Sequence, residues 1–120
     1  MTASLVLGVD IGTSSSKGVL VDLEGRIRAT TVREHEVSRP HVGWAEMDGM
    51  LWWSEFVSIA EELVSRNLGA VIAVGVSGMG PCVLVADVDG VPLRPAKIPV
   101  RRSPRRQLRA VPLNRCSFRS

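Results

Sequence analysis

The chain of 120 residues is long enough for one domain with a modest core, which excludes an arrangement of several folded domains. Its 45% hydrophobic and 22% charged residues exclude the composition of a disordered or fibrous chain. The net charge of +3 combines two opposite parts. Residues 1–95 carry 7 basic and 12 acidic side chains, a balance of −5, and residues 96–120 carry eight basic side chains and no acidic one.

Targeting and redox features are few. Asp10 interrupts the first hydrophobic run, and no basic residue precedes that run, so the pattern is not that of a signal peptide. No apolar run approaches the roughly 20 residues that a membrane span requires. Cys82 and Cys116 fit no metal or redox spacing, which predicts reduced thiols in a cytoplasmic protein. His35 and His41 also lack metal-ligand spacing, and we expect both to be solvated or locally hydrogen-bonded.

The first third of the chain predicts an antiparallel meander of three strands. Residues 5–11 form a nearly continuous apolar run, typical of a strand buried on both faces. Small residues at 12–16 predict a turn, and residues 17–23 a second β-branched strand. After the turn residues Asp22, Glu24 and Gly25, a third strand is expected from residue 26 to about 37.

One amphipathic helix is predicted over residues 49–67. Asp48 is placed to cap its N-terminus, and residues 67–69 provide a stop signal. Glu55 and Glu61 fall largely on the solvent side, as do Glu62 and Arg66. The spacing predicts one buried stripe, formed by Trp53, Phe56, Val57, Ala60, Leu63 and Val64.

Two further strands follow the helix. Residues 70–76 predict a second buried strand, and residues 82–86 a strand that reaches a hairpin turn at 87–90. The order βββαββ implies an α/β fold, a mixed sheet with a helix packed on it.

From Ala96 onward the composition changes to arginine, proline and serine without apolar periodicity. We therefore divide the chain into a domain of residues 1–95 and a basic, unstructured tail of residues 96–120, no part of which is expected to join the core. The tail has two interpretations. It binds nucleic acid through its charge, or it arises from translation in a shifted reading frame and has no selected role.

The strongest chemical signal is the segment from Asp10 to Lys17. An acidic residue ends a buried strand and is followed by Gly12, which permits close approach of a ligand. The amides and hydroxyls of Thr13, Ser14 and Ser15 form a donor nest suited to phosphate oxygens. This layout is similar to the first phosphate motif of the actin, hexokinase and heat-shock ATPase superfamily.

Two later segments make the resemblance specific. Residues 43–48 read Gly-Trp-Ala-Glu-Met-Asp and are followed by Trp52 and Trp53, and residues 74–79 read Val-Gly-Val-Ser-Gly-Met. In this order and spacing, the three segments resemble the amino-terminal part of the FGGY family of carbohydrate kinases, which includes xylulokinases and glycerol kinases.

The resemblance implies a partial ribonuclease-H-like domain from a kinase that uses ATP and Mg²⁺ to phosphorylate a ketose or polyol, with a xylulose-like substrate favoured. Asp10 would bind Mg²⁺ through water, and Lys17 would add positive charge beside the phosphates. The residues implied for phosphate or metal are Asp10, Gly12, Thr13, Ser14, Ser15 and Lys17. Those implied for the sugar are Trp44, Ser77, Gly78 and Met79.

The sequence also departs from the family pattern. Pro81 stands where xylulokinases have a histidine that contacts the sugar, which leaves the identity of the sugar open. The general base, the second phosphate loop and the adenosine-binding domain of such kinases have no counterpart in these residues. We therefore expect the chain alone to be catalytically inactive, because phosphoryl transfer requires phosphate, metal and base to be positioned together. The alternative is a non-catalytic remnant whose arginine-rich tail binds nucleic acid.

Overall fold

The computed structural model describes residues 2–98, and their main element is a mixed four-stranded sheet in the order β3-β2-β1-β5. Strands β1 (Ser4–Ile11), β2 (Ser15–Asp22) and β3 (Ile27–Glu34) form the predicted antiparallel meander. Strand β5 (Ala70–Gly78) lies beside β1 and runs parallel to it. The predicted α/β class, a mixed sheet with one helix, is therefore confirmed, although β3 ends before the expected residue 37.

The parallel pairing of β1 and β5 requires a crossover, which helix α1 (Gly49–Ser65) provides. The predicted N-cap is confirmed, because the Asp48 side chain accepts a hydrogen bond from the Met50 amide at 2.9 Å. The helix ends two residues before the expected boundary. There Arg66 is the C-cap, and Asn67 takes a positive φ of 53°, a conformation that asparagine tolerates at helix ends.

The buried side of α1 differs from the predicted stripe. The helix packs on β2 and β3 through Glu55, Ile59 and Leu63, all of which are buried. Trp53, expected in the core, is 60% exposed and stacks on Phe56, and Val64 is also exposed. The predicted stripe was right for Leu63, which is buried, and for Phe56 and Ala60, which pack against the core. It was wrong for Trp53 and Val64, and Glu55 was wrongly placed on the solvent side, because the buried face is rotated about the helix axis towards Glu55 and Ile59.

A second, two-stranded sheet corrects the domain boundary. Strands β4 (Glu46–Met47) and β6 (Ala96–Lys97) pair antiparallel, and the Ile98 amide donates to the Ala45 carbonyl at 3.0 Å. Ala96 is fully buried, and Ile98 forms a small core with Ala45 and Met47. The first three residues assigned to the tail thus belong to the fold, while residues 99–120 lie outside the described residues.

Strand β5 was predicted to be buried, but most of it is exposed. It is an edge strand in the described sheet, and α1 does not cover its helix-side face, so Val74 and Val76 remain more than half exposed. The strand expected at residues 82–86 is also absent, because this segment forms only isolated bridges. Its turn is present, with the Asp87 amide donating to the Val91 carbonyl at 3.0 Å. Within residues 2–98, no helix has the length and apolar character that crossing a membrane demands.

Candidate functional site

The turn between β1 and β2 has the compact form that the sequence predicted. The Gly12 amide donates to the Ser15 carbonyl at 2.8 Å, and a Cβ on Gly12 would lie 3.0 Å from that oxygen, so glycine allows the close approach. Thr13 and Ser14 are exposed at its tip. The turn therefore presents hydroxyl groups and amides to solvent, a suitable surface for an anion.

One face of the sheet brings Asp10, Lys17 and Ser77 together. Asp10 pairs with Lys17 across β1 and β2 and with Ser77 across β1 and β5, so the three side chains share the face opposite α1. The Ser77 hydroxyl donates to Asp10 Oδ1 at 2.5 Å. All three residues line an open hollow of about 430 Å³, which we name the Asp10 hollow.

The charges of the Asp10 hollow are available to a ligand. Among residues 2–98, the Lys17 ammonium has no salt-bridge partner, and only Oδ1 of Asp10 is hydrogen-bonded. No group of three His, Cys, Asp or Glu side chains suited to a metal occurs in this described part of the chain. A single carboxylate beside hydroxyls fits Mg²⁺, which keeps several waters and takes further oxygens from bound phosphates.

A second hollow of about 260 Å³ lies at the end of β5 on the side of α1, and we name it the Trp52 hollow. The Met79 amide donates to the Ile11 carbonyl at 2.9 Å, which holds the loop after β5 against the end of β1. Cys82 is part of the wall, and burial raises the pKa of its thiol. The lining residues are Ile11, Trp52, Val76, Ser77, Gly78, Met79 and Cys82.

Three of the four residues assigned to a sugar therefore lie together, and the fourth does not join them. Ser77, Gly78 and Met79 line the Trp52 hollow, whereas Trp44 is absent from its lining. Trp44 lies under the Lys97 ammonium, which is 3.9 Å from the ring centroid, and makes an edge contact with His41. Packing against Lys97 explains this loop tryptophan, a role that the sequence did not reveal.

The sequence did not identify Trp52 as part of this wall, nor the buried polar contacts behind the 12–15 turn. The His35 side chain, expected to be solvated or locally hydrogen-bonded, is only 2% exposed and contacts Glu55 and the Gly12 carbonyl, 20 and 23 positions away. Fully buried Ser16 donates to Glu55 at 2.5 Å. A signal existed, because Trp52, Glu55, Ile59 and Leu63 recur at helical spacing, which places an acid within an apolar stripe.

The arginines of the tail all lie in residues 99–120, outside the described residues. Nucleic-acid binding by its arginines therefore stays a prediction from composition.

Comparisons with known proteins identify the family of the chain. Residues 5–105 match the model of the N-terminal domain of the FGGY family of carbohydrate kinases. Glycerol kinase from Acinetobacter baylyi is 34% identical over 99 residues, which cover 79% of this chain and 20% of that protein. Xylulose kinase from Escherichia coli is 32% identical over 93 residues, which cover 77% of this chain and 19% of that protein. The chain thus spans about a fifth of the length of these relatives.

Solved structures show the same fold. Xylulose kinase from Rhodospirillum rubrum superimposes with a TM-score of 0.72 and 36% identity, over 78% of this chain and 20% of that one. Gluconate kinase from Lactobacillus acidophilus gives a TM-score of 0.75 and 25% identity, over 80% and 20% of the two chains. With the family model matched from the first strand to beyond the last, the chain belongs to the FGGY family of carbohydrate kinases.

Proposed function

We propose that the chain forms one wall of the cleft of an ATP-dependent kinase that phosphorylates a hydroxyl of a ketose or polyol. The 12–15 turn and Lys17 would hold phosphate oxygens, and Asp10 would hold Mg²⁺ through water. The Trp52 hollow would receive the sugar, with Trp52 offering an apolar ring face and Ser77 a hydroxyl. Bound Mg²⁺ would neutralise charge that develops on the phosphates.

The observation that carries this proposal is the position of Ser77. Ser77 lines both the Asp10 hollow and the Trp52 hollow, and its hydroxyl is hydrogen-bonded to Asp10. The proposed phosphate and sugar surfaces therefore meet at Ser77. Phosphoryl transfer requires acceptor and phosphate to be adjacent.

A xylulose-like ketose is our first choice of substrate, because xylulose kinases occur among both the sequence relatives and the solved structures that the chain matches. Pro81 lies between Met79 and Cys82, which both line the Trp52 hollow, and stands where xylulokinases have a histidine. A second ketose or a polyol is the alternative, and glycerol kinases among the relatives favour testing glycerol beside xylulose.

Binding of magnesium ATP to the purified chain, followed by calorimetry, tests the phosphate side. We expect Lys17→Ala and Asp10→Asn to weaken binding, because each removes a group of the Asp10 hollow. Arg26→Ala is the matched control, since Arg26 is a cation in the exposed turn between β2 and β3. Equal affinities of Lys17→Ala and Arg26→Ala, or no binding by the unaltered chain, would count against the proposal.

A separate proposal concerns catalysis by the 120 residues alone. We propose that they bind without phosphorylating, because the family resemblance places the general base in a later part of the kinase. A coupled assay for ADP release with xylulose and with glycerol checks this. Sugar-dependent ADP release that is abolished by Asp10→Ala would overturn it.

A further inference from the structure

The back of the 12–15 turn is held by a buried polar cluster that crosses from helix to turn. His35 follows β3, and its ring contacts Glu55 Oε2 at 2.9 Å through Nδ1 and the Gly12 carbonyl at 2.9 Å through Nε2. Its backbone amide donates to the Ser14 carbonyl at 3.0 Å. Two residues of the turn, Gly12 and Ser14, are therefore hydrogen-bonded to His35.

Glu55 fixes the orientation of this ring. Its carboxylate also accepts the Ser16 hydroxyl at 2.5 Å, and the three side chains are almost entirely enclosed. Because burial of a carboxylate is costly without partners, Glu55 and His35 depend on one another for their position. The cluster occupies the side of the sheet that faces α1, whereas Asp10 and Lys17 face the other side, so no group of the cluster contacts the Asp10 hollow directly.

The contacts determine how many hydrogens the pair must hold. A carbonyl oxygen only accepts, so Nε2 must carry a hydrogen for the bond to Gly12. The contact between Nδ1 and Glu55 needs a second hydrogen, on the ring or on the carboxyl group. His35 and Glu55 together therefore carry one more hydrogen than a neutral imidazole and an ionised carboxylate would carry.

Loss of this additional hydrogen removes one of the two ring contacts. If Nε2 keeps its hydrogen, the lone pair of Nδ1 faces the Glu55 carboxylate. If the hydrogen on Nε2 moves to Nδ1, the hydrogen bond to the Gly12 carbonyl is lost. One of the two contacts is given up in either case. The titratable and polar groups that face the ring are Glu55 from α1, Ser16 beside it on β2, and the Gly12 carbonyl.

We propose that His35 is a positioning residue for the 12–15 turn, which it holds through the Gly12 carbonyl while Glu55 orients its ring. The relevance of this positioning to catalysis rests on the proposed function, in which phosphate would bind at the turn. The effect on the turn itself does not require a ligand and can be measured without one.

Two variants of His35 separate a positioning role from simple pairing with Glu55. The amide of Gln reaches as far as Nε2 of histidine, so His35→Gln keeps a donor for Gly12. The amide of Asn reaches only as far as Nδ1, so His35→Asn keeps a donor for Glu55 and loses Gly12. We expect Thr13 and Ser14 amide order parameters of about 0.85 in the unaltered chain and in His35→Gln, and below about 0.6 in His35→Asn. Equal order in both variants, or greater order in His35→Asn, would overturn the proposal.

The unaltered chain provides a second measurement that does not depend on variants folding. Ring ¹⁵N shifts report which nitrogen carries a hydrogen, and we expect one on Nε2 at neutral pH. An Nε2 without hydrogen would overturn the proposal.

Magnesium ATP then distinguishes the two proposals. An ordered turn that binds no ATP contradicts the proposed function and supports the role of His35. A chain that binds ATP equally well in both variants, with an equally ordered turn, supports the function and contradicts the role of His35.

Discussion

Gly18 on β2 lies directly against Ile59 of α1: a Cβ on residue 18 would lie 2.1 Å from Ile59 Cγ2. A side chain larger than hydrogen does not fit there unless Ile59 shifts. We expect Gly18→Ala to lower the free energy of unfolding by about 1–3 kcal/mol, the usual cost of overpacking a core.

Chemical denaturation measures this effect, and Gly75→Ala on β5 is the matched control. A Cβ on Gly75 would meet no atom within 4 Å, so we expect a change of no more than about 0.5 kcal/mol. Equal losses of stability in the two variants would show that α1 does not pack as described.

The hydrogen bonds of Glu62 predict that the free energy of unfolding falls in acid. Hydrogen bonds from Arg33, and further ones from Thr31 and Arg66, lower the pKa of Glu62 from 4.5 to about 2. Because the folded-state pKa lies below the unfolded one, the contribution is complete above pH 4.5 and is lost as the pH falls towards 2. Thermal unfolding between pH 2 and 6 measures it, and Glu62→Gln should flatten this part of the profile. Glu61→Gln on the exposed side should not, and identical profiles would contradict the assignment.

Ile98 tests whether the end of the described region belongs to the fold. It is 3% exposed beside Ala45 and Met47, so Ile98→Ala should lower the free energy of unfolding by about 2–5 kcal/mol. Val42→Ala, at a fully exposed loop position, should change it by no more than about 0.5 kcal/mol. If denaturant unfolding gives the same free energy for Ile98→Ala and Val42→Ala, residues 96–98 belong to the tail and not to the folded domain.

The exposed strand β5 predicts self-association. Its nine residues contain no charge and no proline, and Val74 is 55% exposed at the edge of the described sheet. Such edges pair with other chains unless charged residues block them. We expect Val74→Lys to lower the association state in sedimentation experiments without loss of helix content, and Val42→Lys to have no effect. Association unchanged by Val74→Lys would exclude β5 as the contact.

Local patterns were sufficient for most elements, although not for the short strands β4 and β6 or for the segment 82–86. The meander, the cap at Asp48 and the turn at residues 87–90 follow from short-range chemistry, because strand periodicity, capping and turn residues act over a few positions. The 12–15 turn was predicted for the same reason. The family could also be recognised from three short segments, which the comparisons confirm.

Tertiary structure decided which faces are covered and which distant residues meet. Burial of Glu55 and exposure of Trp53 depend on where α1 lies on β2 and β3, and no local pattern contains that information. His35 contacts Glu55, 20 positions away in the sequence, and Gly12, 23 positions away. The hydrogen bond from Ser77 to Asp10 joins residues 67 positions apart. The sequence alone thus determined strands β1, β2, β3 and β5, helix α1 and the turn at residues 12–15. Only the parallel pairing of β5 with β1 brought Ser77 beside Asp10, because sheet register places side chains from separate segments on a common face.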